Sequence, residues 1–277
     1  MEGVVANGSW TISDAMWAEI APLLPPERPK PEGGRPRMPN RPAMAAIFYV
    51  LRTGCQWKAL PRAMGAGSTV HDRFQEWVQA SVFERMWKAG LMTYDETRGI
   101  DWSWLAMDGA MTKAPLGGGA TGPNPTDRGK TGTKRSIVTD ARGIAVGLAV
   151  AGANRNDFKM LQETLDSMPV TPPPAESDND DERPNLCLDK GYDYAEVRAQ
   201  VQAFGWSAHI RTRGEEKQAK RDIPGYRARR WVVERTHSWM NRFRRLLIRW
   251  EKKTENYVAM LHFACAWHAY RAAGVAV

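Results

Sequence analysis

The sequence predicts an α/β fold, a mixed sheet flanked by helices and preceded by a small all-α unit. Three observations carry this expectation. Residues 43–92 repeat apolar side chains at helical spacing in three successive stretches. From Asp101 the pattern changes to short apolar runs bounded by turn residues. The later runs then alternate with helical stretches, which describes a sheet with helices packed on it. A chain of 277 residues, 43% hydrophobic and 25% charged, has room for one large domain or two ordinary ones and lies well outside the disordered range.

Taken in order, a short opening (Ser9 to Leu24) precedes residues 22–42, which hold eight of the 18 prolines. Arg28, Lys30, Arg35, Arg37 and Arg41 outnumber Glu27 and Glu32 there, so the stretch reads as a flexible or extended basic arm. Pro42 opens a helix through Ala43 to Leu51 that Gly54 stops. A second helix starts at Ser68 or Thr69 and runs through Phe74, Trp77 and Val78. A third reads from Ser81, with Glu84 completing a capping box, into Phe83, Met86 and Trp87. The first two, joined by a Gly/Pro turn, can form a helix-turn-helix, a pattern that other small helical bundles share.

Trp102 to Met107 is a short apolar run ending at Asp108. Residues 116–132, rich in Gly, Pro and Thr, read as a mobile loop charged by Lys130, with Lys134 just beyond. Arg135 to Thr139 and Ile144 to Val150 are strands joined by a hairpin turn, Asp140 to Gly143. Asp157 to Ser167 is helical, and 169–184 is an acidic, Pro-rich solvated insertion. Asn185 to Leu188 is a strand ending at Asp189. Tyr194 to Phe204 is a helix, and Trp206 to Ile210 a strand. Tyr226 to Trp250 is a long basic helix or helix pair, and Tyr257 to Arg271 a last amphipathic helix.

The composition excludes several classes. Cys55, Cys187 and Cys265 lie far apart with no C-x-x-C pair, against a disulfide framework or a thiolate zinc site. No basic, then apolar, opening suggests a signal peptide, and no apolar run reaches the roughly 18 residues of a spanning helix. A membrane is therefore not an expected partner, and a reducing, cytoplasmic setting is. The net charge of +8 and a pI near 9.5 favour a polyanionic partner. That charge has an address: 227–253 holds ten basic residues against Glu234 and Glu251. Trp231, Trp239, Phe243 and Trp250 are interleaved there, with Trp231 and Trp239 expected in the core.

Asp108 and Asp189 each end an apolar strand and are closely followed by a glycine, the place where ligands gather in α/β sheets. Either alone also reads as a turn or cap residue. Glu234 is the only acid between Asp222 and Glu251; it reads as a helical partner of Arg230 or, on a helix with Trp231, Val232 and Val233, as part of a packed site. Two strand-end aspartates and a helical glutamate make the ligand set of a metal-dependent phosphoryl-transfer enzyme, since hard divalent cations prefer carboxylate oxygens. Lys190 and Tyr192 follow Asp189 closely enough to touch substrate. The five histidines form no site: His71, His237, His262 and His268 fall on helices as packing residues, and His209 lies near a strand end.

Several motifs together resemble the DDE transposases of bacterial insertion sequences, in the insertion-sequence-five family. They are Gly34 to Arg37; Phe48 to Gly54 followed by Cys-Gln-Trp57-Lys-Ala-Leu-Pro61; Ala106-Met-Asp108-Gly; Gly122 to Lys130; Asp189-Lys-Gly-Tyr192; and Arg230-Trp-Val-Val-Glu234-Arg-Thr. The resemblance covers roughly residues 8–270. It implies an RNase H-like catalytic domain over 96–277 behind a helical DNA-binding domain over 1–95. It also implies Asp108, Asp189 and Glu234 as metal-binding catalytic triad, Mg²⁺ as cofactor with Mn²⁺ able to replace it, end cleavage and strand transfer. The partners implied are double-stranded DNA with terminal inverted repeats, target DNA and a second subunit on DNA, in a bacterial, nucleoid-associated setting. Residues expected to face DNA are Arg35, Arg37, Arg73, Lys130, Lys134, Arg230, Arg242, Arg244, Arg245 and Arg249. One departure stands out. The family's helix pattern of Tyr, Arg, Glu and Lys is met at Arg230 and Glu234, but Arg227 holds the Tyr position and Asn241 the Lys position, with Arg242 as candidate substitute. A non-catalytic DNA-binding repressor and a nuclease that cuts without joining are the alternatives.

Overall fold

The structure, a computed structural model, describes residues 11–27, 33, 36–173, 183–210, 213–222 and 229–275. The chain divides into two compact units. One comprises Met1–Arg98, Phe243–Leu246 and Ala259–Val277, the other Gly99–Arg242 and Leu247–Val258.

The first unit is helical. It contains α1 (Asp14–Ile20), α2 (Asn40–Thr53), α3 (Gly67–Gln79) and α4 (Val82–Arg98). The Ser13 side chain caps α1 by accepting from the Met16 N–H at 3.1 Å. Helix α2 stops where Gly54 takes a φ of 69° and donates its N–H to the Val50 carbonyl, a left-handed conformation that favours glycine. Ser81 departs from expectation: its φ of 51° is not the extended backbone that a capping box needs. Phe48, Phe74, Trp77, Phe83 and Trp87 form an aromatic core. The second half of α10 (Thr254–Ala272) closes it. Trp267 lies 4.5 Å from the Phe48 ring, Phe263 5.4 Å from Phe83, and His262 stacks on Trp87 at 5.1 Å. This part of α10 is apolar on all sides rather than amphipathic, so it is buried. The compact units thus differ from a division at 95/96, because Ala259 onward belongs with the helical unit.

The second unit is built on a six-stranded sheet: β1 (Trp104–Lys113), β2 (Gly122–Pro123), β3 (Thr131–Thr139), β4 (Ala145–Gly152), β5 (Asn185–Leu188) and β6 (Ser207–Ile210). β3 pairs antiparallel with β1, β2 and β4, whereas β1–β5 and β5–β6 are parallel. Leaving aside the two-residue β2, the order β4-β3-β1-β5-β6 is that of the RNase H-like fold the resemblance implied. The helices of this part are α5 (Leu161–Asp166), α6 (Ala195–Ala203), α7 (Arg213–Asp222) and α8 (Trp231–Asn241); the one-turn α9 (Arg244–Leu247) that follows belongs as far as Leu246 to the helical unit.

Three local differences have physical reasons. β1 runs five residues past Asp108, because its antiparallel pairing with β3 continues from Gly109–Ser136 to Lys113–Gly132 although these residues are not an apolar run. Where the basic stretch is described it carries two helices, α8 ending at Asn241 and α9 beginning at Arg244, while 226–228 lie outside the described residues. Helix α7 has almost no apolar residues and so no period to read. Among the described residues, no helix is long and apolar enough to cross a membrane.

Candidate active site

Strand register brings the two aspartates together. β1 and β5 pair in parallel from Trp104–Asn185 to Ala106–Cys187, so Asp108 and Asp189 each lie two residues beyond the last pair of their strands. Both carboxylates are tied to the following backbone. Asp108 Oδ1 accepts from the Gly109 N–H, and Asp189 Oδ1 from the Gly191 N–H, each at 2.8 Å. Asp189 thereby caps a one-turn 3-10 helix, Lys190–Tyr192.

Helix α8 packs on β1 and β3. Thr236 donates its hydroxyl to the Gly143 carbonyl at 2.6 Å, and the Arg235 guanidinium donates to the Arg142 carbonyl. His237 Nε2 lies 3.3 Å from the Asp108 carbonyl oxygen. Glu234, one turn earlier, is exposed. Its charge reaches Asp108, whose pKa rises from 3.8 to about 6 through burial first and then the carboxylates of Asp189, Asp157 and Glu234, with the Gly109 N–H opposing. Burial, reinforced by the Arg135 cation, pushes His237 down to about 3, so its ring is neutral at physiological pH.

Asp157 and Tyr192 are neighbours that sequence reading missed or misplaced. Asp157 opens the 3-10 helix Asp157–Met160 that leads into α5, and in the sequence it reads as an ordinary helix-start acid. Tyr192 is fully buried and cannot present its ring to substrate, while Lys190 is exposed. Burial and the negative field of Asp157, Asp108 and Asp189 push the Tyr192 phenol well above its ordinary range. Among the described residues, no three His, Cys, Asp or Glu side chains form a ready cage for a metal ion.

Several residues expected to face DNA are turned inward. Arg249, 1% exposed, donates to the carbonyls of Gly119, Ala120 and Glu251 and to the Thr133 hydroxyl. It thereby anchors the Gly-rich loop, which is held rather than loose. Arg245 is buried, with Nη1 on the Cys55 carbonyl at 3.1 Å. Arg73 is buried against the Met38 carbonyl, Glu27 and Glu76. Lys134 is buried and pairs with Asp157 at 3.0 Å. Phosphate contact by these four side chains is corrected to structural roles, since each is enclosed by acceptors of its own chain. Arg37 is half-buried and paired with Glu76. Lys130, Arg242 and Arg244 are exposed and Arg230 partly so, while Arg35 lies outside the described residues. Trp231 and Trp239 are not core: Trp231 is 37% exposed, and the two rings hold Arg235 between them at 4.4 and 4.6 Å. At the departure from the family pattern, Asn241 Oδ1 accepts from Arg135 at 2.6 Å.

Comparison with known proteins matches residues 12–87 to the family described as "Putative transposase of IS4/5 family (DUF4096)" and residues 103–268 to "Transposase DDE domain". The chain is 38% identical over 157 residues to a Burkholderia cepacia protein, "Putative transposase for insertion sequence element IS402", covering 55% of this chain and 71% of that one. It is 37% identical over 118 residues to a 16.2 kDa protein of the same insertion element and organism, covering 41% of this chain and 80% of that one. The solved catalytic domain of Mos1 transposase with raltegravir and Mg aligns over 69% of this chain and 94% of that chain, at 10% identity and a TM-score of 0.29.

Proposed function

We propose, on the premise that the chain belongs to the transposase DDE family, that Asp108, Asp189 and Glu234 are its catalytic carboxylates. The reaction is cleavage of phosphodiester bonds at the ends of an insertion element and joining of those ends to target DNA. The observation that carries this reading is the equivalent register of Asp108 and Asp189 on adjacent parallel strands, with Glu234 close enough to raise the Asp108 pKa.

The donor set fits a hard divalent cation, Mg²⁺ with Mn²⁺ able to replace it. Burial first lifts Asp108 to about 6, and the charges of Asp189, Asp157 and Glu234 add to the rise; a bound cation would offset those charges. A closed cage is unnecessary, because Mg²⁺ binds through one or two carboxylates and keeps water and phosphate oxygens as other ligands. Asp108, Asp189 and Glu234 would hold it, and when bound it would make the attacking oxygen more acidic and offset charge on the phosphate. The chain's own residues do the rest. The N–H groups of Gly109 and Gly191 fix two carboxylates, and His237 and Thr236 fix the helix that carries the third.

Lys130, Arg230, Arg242 and Arg244 offer charge to DNA phosphates, and Arg35 and Arg37 of the arm join them as candidates. The helical unit is the reader of terminal inverted repeats. Two ends are brought together by two copies of the chain, a homodimer on DNA in a bacterial cytoplasm. The test supplies the purified protein with duplexes carrying the matched terminal repeats, a supercoiled target and Mg²⁺. Joined end–target product is the expected result; end hydrolysis without joining would favour the nuclease, and binding without cutting the repressor.

A further inference from the structure

The Asp157 side chain is placed where a surface helix cap has no reason to be. Its Oδ1 lies 2.0 Å from the point a Cβ on Gly109 would occupy, so residue 109 can carry no side chain while Asp157 sits there. That oxygen is buried and has no hydrogen-bond partner. The other oxygen accepts from Lys134 Nζ at 3.0 Å, and the same Nζ donates to the Arg155 carbonyl at 2.7 Å. Lys134 comes from β3, where it lies opposite Met111 of β1. On the far side, the Phe158 ring lies 4.6 Å from the Tyr194 ring, which follows the turn that Asp189 caps. The buried Tyr192 of that turn feels the charges of Asp157, Asp108 and Asp189 together. The 155–158 segment therefore touches the strand next to one catalytic aspartate and the turn next to the other.

We propose that Asp157 is a positioning residue of the catalytic centre. Its carboxylate, clamped by Lys134 and seated on the Cα of Gly109, holds the Asp108 and Asp189 segments in one mutual arrangement. It acts through shape and the Lys134 bond rather than by holding the ion, and no motif of the family resemblance marks it. The inference rests on the reading of Asp108 and Asp189 as catalytic. An ion pair serving stability alone would have no need to sit against the Cα of Gly109, with the next residue, Phe158, packed on Tyr194 beyond the Asp189 turn.

Shape and charge separate in two conservative variants of the full chain. Asp157→Asn keeps the size and an oxygen for Lys134 but loses the charge. Asp157→Glu keeps the charge but is one methylene too long for the space on Gly109. Single-turnover end cleavage, calorimetric binding of Mn²⁺ alone and thermal midpoint are measured on both, with Asp108→Asn as control. Positioning predicts Asp157→Asn within about threefold of wild type in rate and Mn²⁺ affinity, and Asp157→Glu lowered about 10–100-fold in both, the range for partners that orient metal ligands. Glu outperforming Asn would make Asp157 a ligand and overturn the inference, as would wild-type values for both variants. A lower midpoint with unchanged rate and Mn²⁺ affinity would assign a purely structural role and overturn it too. Wild-type cleavage by Asp108→Asn would instead overturn the catalytic reading beneath it.

Discussion

Asp108 and His237 are contacting residues with opposite electrostatics. The Asp108 pKa is raised to about 6 in the fold from 3.8. A raised folded-state pKa contributes stability that is fully present below the unfolded value and lost as pH rises through about 6. Metal-free Asp108→Asn is therefore expected to be more stable than wild type near pH 7, with the two converging near pH 4. The rise from 3.8 to about 6 sets a ceiling of about 3 kcal/mol, lowered by the solvent that reaches part of the side chain. Urea titrations at the two pH values check this, and a difference independent of pH contradicts it. His237 is depressed to about 3, so its contribution is present above the unfolded value near 6.5 and is lost as pH falls toward 3. His237→Gln should therefore flatten the loss of stability between about pH 6 and pH 4 in the same titrations. Asp108 and Asp189, the two aspartates proposed as catalytic, were both singled out in the sequence, because an apolar run ending in Asp with a glycine close behind has a physical meaning. Asp157 was not: an acid at the start of a helical stretch looks like a cap, and only the folded β1–β3 pairing shows that Gly109 leaves space for it.

At the scale of elements, the basic stretch after residue 226 splits into two populations that the sequence could not separate. A sequence shows that arginines are dense but not which of them find carbonyls inside their own fold. Arg249 is enclosed by the Gly-rich loop and the start of α10, whereas Arg244, at the start of α9, is exposed. Arg249→Ala leaves several buried acceptors without donors and should cost about 2–4 kcal/mol of stability, measured by urea unfolding. Arg244→Ala should leave the unfolding midpoint unchanged and weaken DNA binding, lowering the slope of log K against log salt by about 1. Exchanged outcomes would contradict the assignment of these two residues. Strands β4 and β5 and the second half of β3 were legible from their apolar runs, whereas Thr131–Lys134 of β3 were not. The far half of β1 was not, because Gly109 to Lys113 is held by its β3 partner rather than by its own composition.

For the whole molecule, the order of the chain is not the order of the units. The helical unit takes Phe263 and Trp267 from the end of the chain into contact with Phe48 and Phe83. A fragment of residues 1–98 lacks these rings and should lose cooperative unfolding and near-ultraviolet circular dichroism while keeping some helix. A fragment that melts cooperatively at the midpoint of the full chain would contradict this. The sequence suggested two domains from its change of period near Asp101, but a last helix read as amphipathic gave no sign of closing the first core. The central claim is that Asp108, Asp189 and Glu234 act as one catalytic centre. Its most direct test is Mg²⁺-dependent single-turnover cleavage of end duplexes by full-length Asp108→Asn, Asp189→Asn and Glu234→Gln, with metal-free end binding measured on the same samples. Each variant is predicted to bind within about threefold of wild type and to cleave about a thousandfold or more slowly; wild-type cleavage by any of the three would contradict the claim.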